Sequence, residues 1–241
     1  SHVLCSPKRV IAGGPANPVA IVDETADLAK AAKDISDGAS FDNNIMCISE
    51  KCIVAVESIV PAFVKQLEEN GVYYIDNETE MLQLTKTVLN HDMKMVRKME
   101  GKSAMDILEE AGIHPNRPVR LVVVRTFAKH PLVLEECLMP VVPLVAVADF
   151  EEALETALFT EQGYRHTAMV HSQCIDRLSK AAKIMNTTVF IKNGSSLAGI
   201  GLNGEEMASF TIANVTGEGI TTARDFACKR SCTLTSGFSL R

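Results

Sequence analysis

The 241-residue sequence has no apolar run approaching the roughly 18 residues that a membrane helix needs. Its longest apolar stretch, Leu138 to Ala148, is broken by Pro140 and Pro143 and reads as a buried strand with its approach. A basic excess is missing too: 24 Lys and Arg stand against 30 Asp and Glu, for a formal net charge of -6. With no basic patch to neutralise phosphates, nucleic-acid binding is set aside. Ser1-His2-Val3 is not a basic region leading into an apolar one, so no secretory signal is expected. No Cys-x-x-Cys pair occurs, which argues against a structural zinc site. The seven cysteines (Cys5, Cys47, Cys52, Cys137, Cys174, Cys228 and Cys232) are odd in number and widely spread. That pattern excludes a disulfide framework and fits free thiols in a reducing cytoplasm, most of them small buried apolar side chains. Cys228 and Cys232 are four apart, but no His or acid cluster accompanies them, and no metal is expected. Internal repeats, low-complexity tracts and linkers are absent as well.

What is present is an alternation of strand and helix signals. Short β-rich runs are expected at Val19–Val22, Cys52–Val56, Leu121–Val124, Val141–Val147, Thr167–Val170 and Thr187–Ile191. Helices are expected at Thr25–Ser36, Pro61–Glu69, Glu78–Asn90, Ser103–Ala111, Phe150–Leu158 and Gln173–Met185. Leu28, Ala31, Ala32 and Ile35 share one helical face, as do Phe63, Val64 and Leu67. This alternation predicts an α/β domain with a largely parallel sheet. Met93, Met95, Met99 and Met105 are read as core filler. Gly194 to Gly204 is glycine-rich but lacks the strand-turn-helix context of a dinucleotide motif, and reads as a loop. The last stretch, from Cys228, reads as an extended arm that needs a partner strand.

The segment with the most chemistry is Asp37 to Lys51. Asn43 and Asn44 are suited to cap a helical turn, which would place Cys47 in the positive field of a helix N-terminus and lower its thiol pKa. Lys51 would add to that field. On spacing alone, a small apolar residue facing the core between Met46 and Ile48 is the better reading of Cys47, since buried cysteines outnumber catalytic ones.

Resemblance tips that balance. Ser40-Phe-Asp-Asn-Asn44 leading to Cys47-Ile-Ser-Glu-Lys51 resembles the active-site segment of CoA-acylating aldehyde dehydrogenases, first those of ethanolamine and propanediol utilisation. Gly14 to Asp27 is similar to the lead into that family's catalytic domain. Glu135-Glu-Cys-Leu-Met-Pro140 resembles its Glu-x-Phe-Gly-Pro segment, with Leu138 in place of Phe. Gly163-Tyr-Arg-His-Thr-Ala168 and Phe210 to Gly219 are also family-like. Five ordered matches cover almost the full length.

The resemblance implies the three-layer catalytic domain of the aldehyde dehydrogenase fold over residues 9–225, a tag remnant or linker over 1–8, and a C-terminal oligomerisation arm over 226–241. The NAD-binding domain of the family would precede this chain. It implies Cys47 as nucleophile, His166 as base or orienting group, and Glu136 holding the nicotinamide ribose, with Leu138 beside it at the cofactor. NAD and coenzyme A are the implied cofactor and co-substrate, and a short aldehyde the substrate. In the hydrolytic branch a Glu ahead of the domain activates water. Here Arg9-Val-Ile-Ala-Gly-Gly-Pro15 has no acid, which favours transfer to a thiol. A homo-oligomer in the cytoplasm, or within a bacterial microcompartment, is expected, with this chain inactive in NAD-dependent oxidation by itself. Two other classes stay open: a non-catalytic assembly module of the same fold, and a nucleotide-independent thiol acyl transferase or esterase.

Overall fold

The computed structural model describes residues 8–233 and Thr235. Seven strands form one parallel sheet: β1 (Val19–Val22), β2 (Cys52–Val56), β3 (Val72–Ile75), β4 (Leu121–Thr126), β5 (Val141–Val147), β6 (Thr167–His171) and β7 (Val189–Lys192), in the order β3-β4-β5-β2-β1-β6-β7. Every pairing in it is parallel, and the register places Val19 opposite both Cys52 and Ala168. The strands read as continuous apolar runs because both faces are covered. On one face, α1 (Leu28–Ser40) and α2 (Val60–Glu69) bury Ile35, Ala39, Phe63 and Leu67 against Ala20, Val22, Ile53 and Ala55. The opposite face carries α3 (Glu78–Val88), α4 (Ala104–Glu110), α5 (Pro131–Leu134), α6 (Phe150–Glu161) and α7 (Ile175–Met185). There Ile107, Leu108 and Leu132 pack on Val122 and Val124, while Ala153, Ala157 and Ala181 pack on Val19, Ile21 and Val54. The result is the expected three-layer α/β architecture. A short antiparallel pair, β8 (Ile212–Ala213) and β9 (Gly219–Ile220), and the four-residue helix α8 (Ala223–Phe226) follow.

Several boundaries differ from the sequence reading for local reasons. Helix α1 starts at Leu28, not Thr25, because Asp23 Oδ1 takes both the N–H and the hydroxyl of Thr25 (2.8 and 2.6 Å). Asp27 then caps it by accepting from Lys30 N. Helix α3 stops at Val88, since the Asn90 side chain accepts from the N–H groups of Asp92 and Lys94 and turns the chain. Strand β3 went unforeseen; its two central tyrosines are only half-buried at the sheet edge. Of the four methionines read as core, Met99 is fully buried, but Met93 and Met105 are exposed. Met93 lies in the left-handed turn after Asn90 and Met105 on the outer side of α4. The thiols are less buried than expected: Cys52 and Cys137 are in the core, Cys47 and Cys174 half-buried, Cys228 and Cys232 exposed, and Cys5 lies outside the described residues. Residues 227–233 form no strand. The rest of the expected arm, save Thr235, and residues 1–7 lie outside the described residues.

Candidate active site

All five segments that carry the resemblance meet at the amino-terminal edge of the sheet. Ala16–Pro18 lead into β1, Cys47–Lys51 into β2, Glu136–Pro140 into β5, and Gly163–His166 into β6. Because these strands are parallel and in register, the segments just ahead of them lie side by side. The fifth segment is tied on by hydrogen bonds: Asn214 accepts from Gly14 N (2.8 Å) and donates to Tyr164 O (3.0 Å), and Thr216 accepts from Ala12 N (3.0 Å). Asn17, buried, donates to Val133 O (2.8 Å) and Thr160 O (2.7 Å), linking the chain ahead of β1 to the approaches of β5 and β6.

Cys47 sits in a tight loop, not at a helix N-terminus as the sequence predicted. Phe41–Asn44 form a left-handed turn in which Asp42, Asn43 and Asn44 all have positive φ (47°, 51° and 62°). Asp and Asn tolerate the left-handed region best among residues with a Cβ, so three of them in a row suit a turn better than a helix cap. The buried Asn44 amide donates to Ala39 O (2.8 Å) and Glu50 O (3.1 Å), closing the loop on itself. Asn43 donates to Gly101 O (2.9 Å), and Gly101 N donates to Leu138 O (2.9 Å), so Gly101 clips the Cys47 loop to the Glu136–Leu138 segment. Gly101 has φ +70°, and a Cβ there would lie 2.7 Å from Ile45 Cδ1.

The electrostatics also differ from expectation. Burial pushes the Cys47 thiol above its ordinary value, the negative charge of Glu136 pushes the same way, and Lys51 only partly offsets them. The resting residue is a half-buried thiol. Glu136 is half-buried; burial raises its carboxyl, while Lys51 and the Ala16 N–H pull it down. Leu138 is half-buried beside it, with its N–H on Met95 Sδ (3.2 Å).

His166 is 1% exposed, and burial drives it down to about 4, so it is a neutral imidazole near physiological pH. Its Nδ1 pairs with Thr167 Oγ1 at 2.8 Å. The loop before it has positive φ at Gln162, Gly163 and Arg165. Buried Glu161 holds that loop, accepting from Gly163 N (3.0 Å) and His166 N (3.2 Å).

Sequence reasoning missed Asn17, Glu50 and Glu161, and placed Lys51 at the site without its burial. Lys51 is 1% exposed and Glu50 fully buried. A Glu-Lys pair before a β-run looks like a solvated turn, and only its position at the amino end of a central parallel strand signals otherwise. A cleft of about 500 Å³ between α1 and residues 193–203 contains none of Cys47, Glu136 or His166. Lys30, Lys33 and Arg120 in its wall are paired with Asp34 and Asp37.

Comparison with known proteins places this geometry among enzymes. The sequence model described as the aldehyde dehydrogenase family matches residues 5–203. The propanal dehydrogenase (CoA-propanoylating) of Salmonella typhimurium is 47% identical over 238 residues, which are 98% of this chain and 51% of that protein. A Rhodopseudomonas palustris propionaldehyde dehydrogenase, solved with bound CoA and an acylated cysteine, superposes with a TM-score of 0.93 at 41% identity over 97% of this chain and 53% of that one. A propionaldehyde dehydrogenase from the Clostridium phytofermentans fucose utilisation bacterial microcompartment gives a TM-score of 0.92 at 38% identity, covering 100% of this chain and 55% of that one. That protein has also been solved as a Cys-to-Ala and as a His-to-Ala mutant. The chain spans about half the length of the relatives it matches.

Proposed function

The chain belongs to the aldehyde dehydrogenase family, and from that premise we propose that it is the thiol-bearing catalytic domain of a CoA-acylating aldehyde dehydrogenase. The substrate would be a short aldehyde such as propanal and the product an acyl-CoA. The observation that carries this reading is the placement of Cys47: a half-buried thiol on a rigid loop, with the ammonium of Lys51 and the carboxylate of Glu136 acting on it. A thiol so held can be deprotonated on demand and kept from side reactions otherwise.

In this proposal the Cys47 thiolate adds to the aldehyde carbonyl, forming a C–S bond and an alkoxide. A bound nicotinamide nucleotide would supply the acceptor for the hydride that leaves this carbon as the alkoxide re-forms the C=O of the thioester. Glu136 suits such a group: one N–H, that of Ala16, is drawn to its carboxylate, and acceptor capacity remains for ribose hydroxyls. Leu138 offers an apolar wall beside it. Cys47 then holds the acyl group until the thiolate of coenzyme A attacks the carbonyl and Cys47 leaves as thiolate. His166, neutral above about pH 4, is available to orient or accept the proton of that incoming thiol. The separation between the replaced cysteine and histidine of the Clostridium phytofermentans enzyme differs by one residue from that between Cys47 and His166. Arg9–Pro15 carries no acid to activate water, and its N–H groups at Ala12 and Gly14 are taken by Thr216 and Asn214. The setting we propose is the cytoplasm, inside a microcompartment like that of the Clostridium relative.

The fate of a loaded acyl group tests this reading. Propanoyl-loaded protein, freed of reagent, should keep its thioester in buffer near neutral pH and yield propanoyl-CoA when CoA is added. Release of propanoate at one rate with or without CoA would assign the chain to the hydrolytic branch.

A further inference from the structure

Residues 89–103 join α3 to α4 and hold no part of the proposed chemistry, yet they contact two of the segments that do. On one side, Lys94 Nζ pairs with Glu135 Oε2 (2.8 Å), Met95 N donates to Glu135 Oε1 (3.4 Å), and Met95 Sδ accepts from Leu138 N (3.2 Å). Gly101 N donates to Leu138 O (2.9 Å). On the other side, Gly101 O accepts from the amide of Asn43 (2.9 Å), four residues before Cys47. The surface ion pair of Lys94 contributes little, so the hold rests on Met95 and Gly101. Gly101 uses both of its backbone groups between the two segments, which fixes their spacing at the width of one residue. The connection is itself anchored: Val96 N donates to Val88 O (2.8 Å), and Met99 is fully buried in the same core as Ile107 and Leu108. A side chain at 101 is excluded twice, by φ +70° and by Ile45 Cδ1, 2.7 Å from where a Cβ would lie.

We propose that Gly101 is a positioning residue: with Met95 it forms a strap that sets the Cys47 loop against the Glu135–Leu138 segment, so that a shift of either segment reaches the other. This rests on reading Cys47 as the nucleophile and Glu136 as a contact to the nicotinamide nucleotide. In that reading, the spacing of the two segments governs how the carbon on Cys47 faces the cofactor. Misplacing reacting atoms by about 1 Å costs about 10²-fold in rate. The strap supplies no reacting atom and acts through spacing alone.

The experiment perturbs one end of the strap in the full chain and reads the other. Asn43→Gly removes the hydrogen bond to Gly101 O and leaves the left-handed φ of 51° unstrained. Met95→Leu removes the acceptor of Leu138 N. Asn43→Gly should speed amide exchange at Leu138 several-fold, although Asn43 does not bond to it. Met95→Leu should slow acylation of Cys47 by the propanoyl thioester of N-acetylcysteamine roughly tenfold at saturation, with half-saturation unchanged. Amides in α7 are the control and should exchange at the parent rate in both variants. Gly101→Ala should show both effects together; if it does not fold, the two end variants decide. A packing role alone would change each segment separately, or speed exchange in α7 as well, and either result overturns the proposal. The nucleophile reading fails separately, if Cys47 of the parent chain takes no acyl group; exchange at Leu138 in Asn43→Gly then still decides the strap.

Discussion

Glu50 is a carboxyl buried under α1, and the helix makes room for it with a glycine. A Cβ at Gly38 would meet both carboxylate oxygens of Glu50 and come within 2.5 Å of Ser196 Oγ. Gly38→Ala should therefore cost about 1–3 kcal/mol or more through overpacking, despite the better helix propensity of alanine, as urea unfolding would register. Burial raises Glu50 to about 7 from an ordinary 4.5. The folded chain then keeps a proton that the unfolded chain has released, so its contribution to stability falls as pH rises from about 4.5 to 7. Glu50→Gln should accordingly stabilise the protein relative to the parent at pH 8 but not at pH 5. Equal differences at both pH values would refute the assignment. None of this was legible in the sequence, where Ser49-Glu50-Lys51 has the composition of an exposed turn. Cys47 was legible only through its ordered neighbours, since its spacing alone favours core packing.

At the level of elements, six of the seven sheet strands and the apolar helix faces were readable because a parallel sheet covered on both faces demands uninterrupted β-branched runs; β3, half-buried at the edge, lacks that signal. Side-chain capture of backbone groups moved the ends: Asp23 delayed α1 and Asn90 cut short α3. The same capture explains the error at the candidate site. Asn43 and Asn44 resemble helix caps, but their amides reach to Gly101 O, Ala39 O and Glu50 O, and this builds a left-handed turn instead. Asn44 is the centre of that turn, and it supplies the acceptors for Lys51. Asn44→Ala should cost roughly 2–4 kcal/mol, from lost buried hydrogen bonds and a Cβ residue less tolerant of φ 62°, measured by chemical denaturation. Asn43→Ala, with one bond to Gly101 O, should cost less. A reversed order would show that the loop is held elsewhere.

Across the whole molecule, the two sheet edges differ. Open parallel sheets usually bind ligands at the carboxyl ends of their strands. Here that edge, between β1 and β6, is closed by Asp23, whose carboxylate accepts from Ser172 Oγ (2.6 Å), Thr25 Oγ1 (2.6 Å) and Arg177 (3.0 Å). The residues proposed to carry the chemistry gather at the amino edge instead, and no composition or periodicity signal distinguishes the edges. Beyond β7, Leu202, Met207, Phe210 and Phe226 are exposed. With the arm from residue 226 proposed as an oligomerisation element, the chain should sediment as a dimer at micromolar concentration and as a monomer when shortened before Cys228. A monomeric full chain would contradict that part of the account. If Cys47 accepts the acyl group, exposure to the propanoyl thioester of N-acetylcysteamine, followed by peptide mapping, should find a propanoyl group on Cys47 that is lost in Cys47→Ala. Acylation confined to Cys228 and Cys232, or unchanged in Cys47→Ala, would show that Cys47 is not the acceptor.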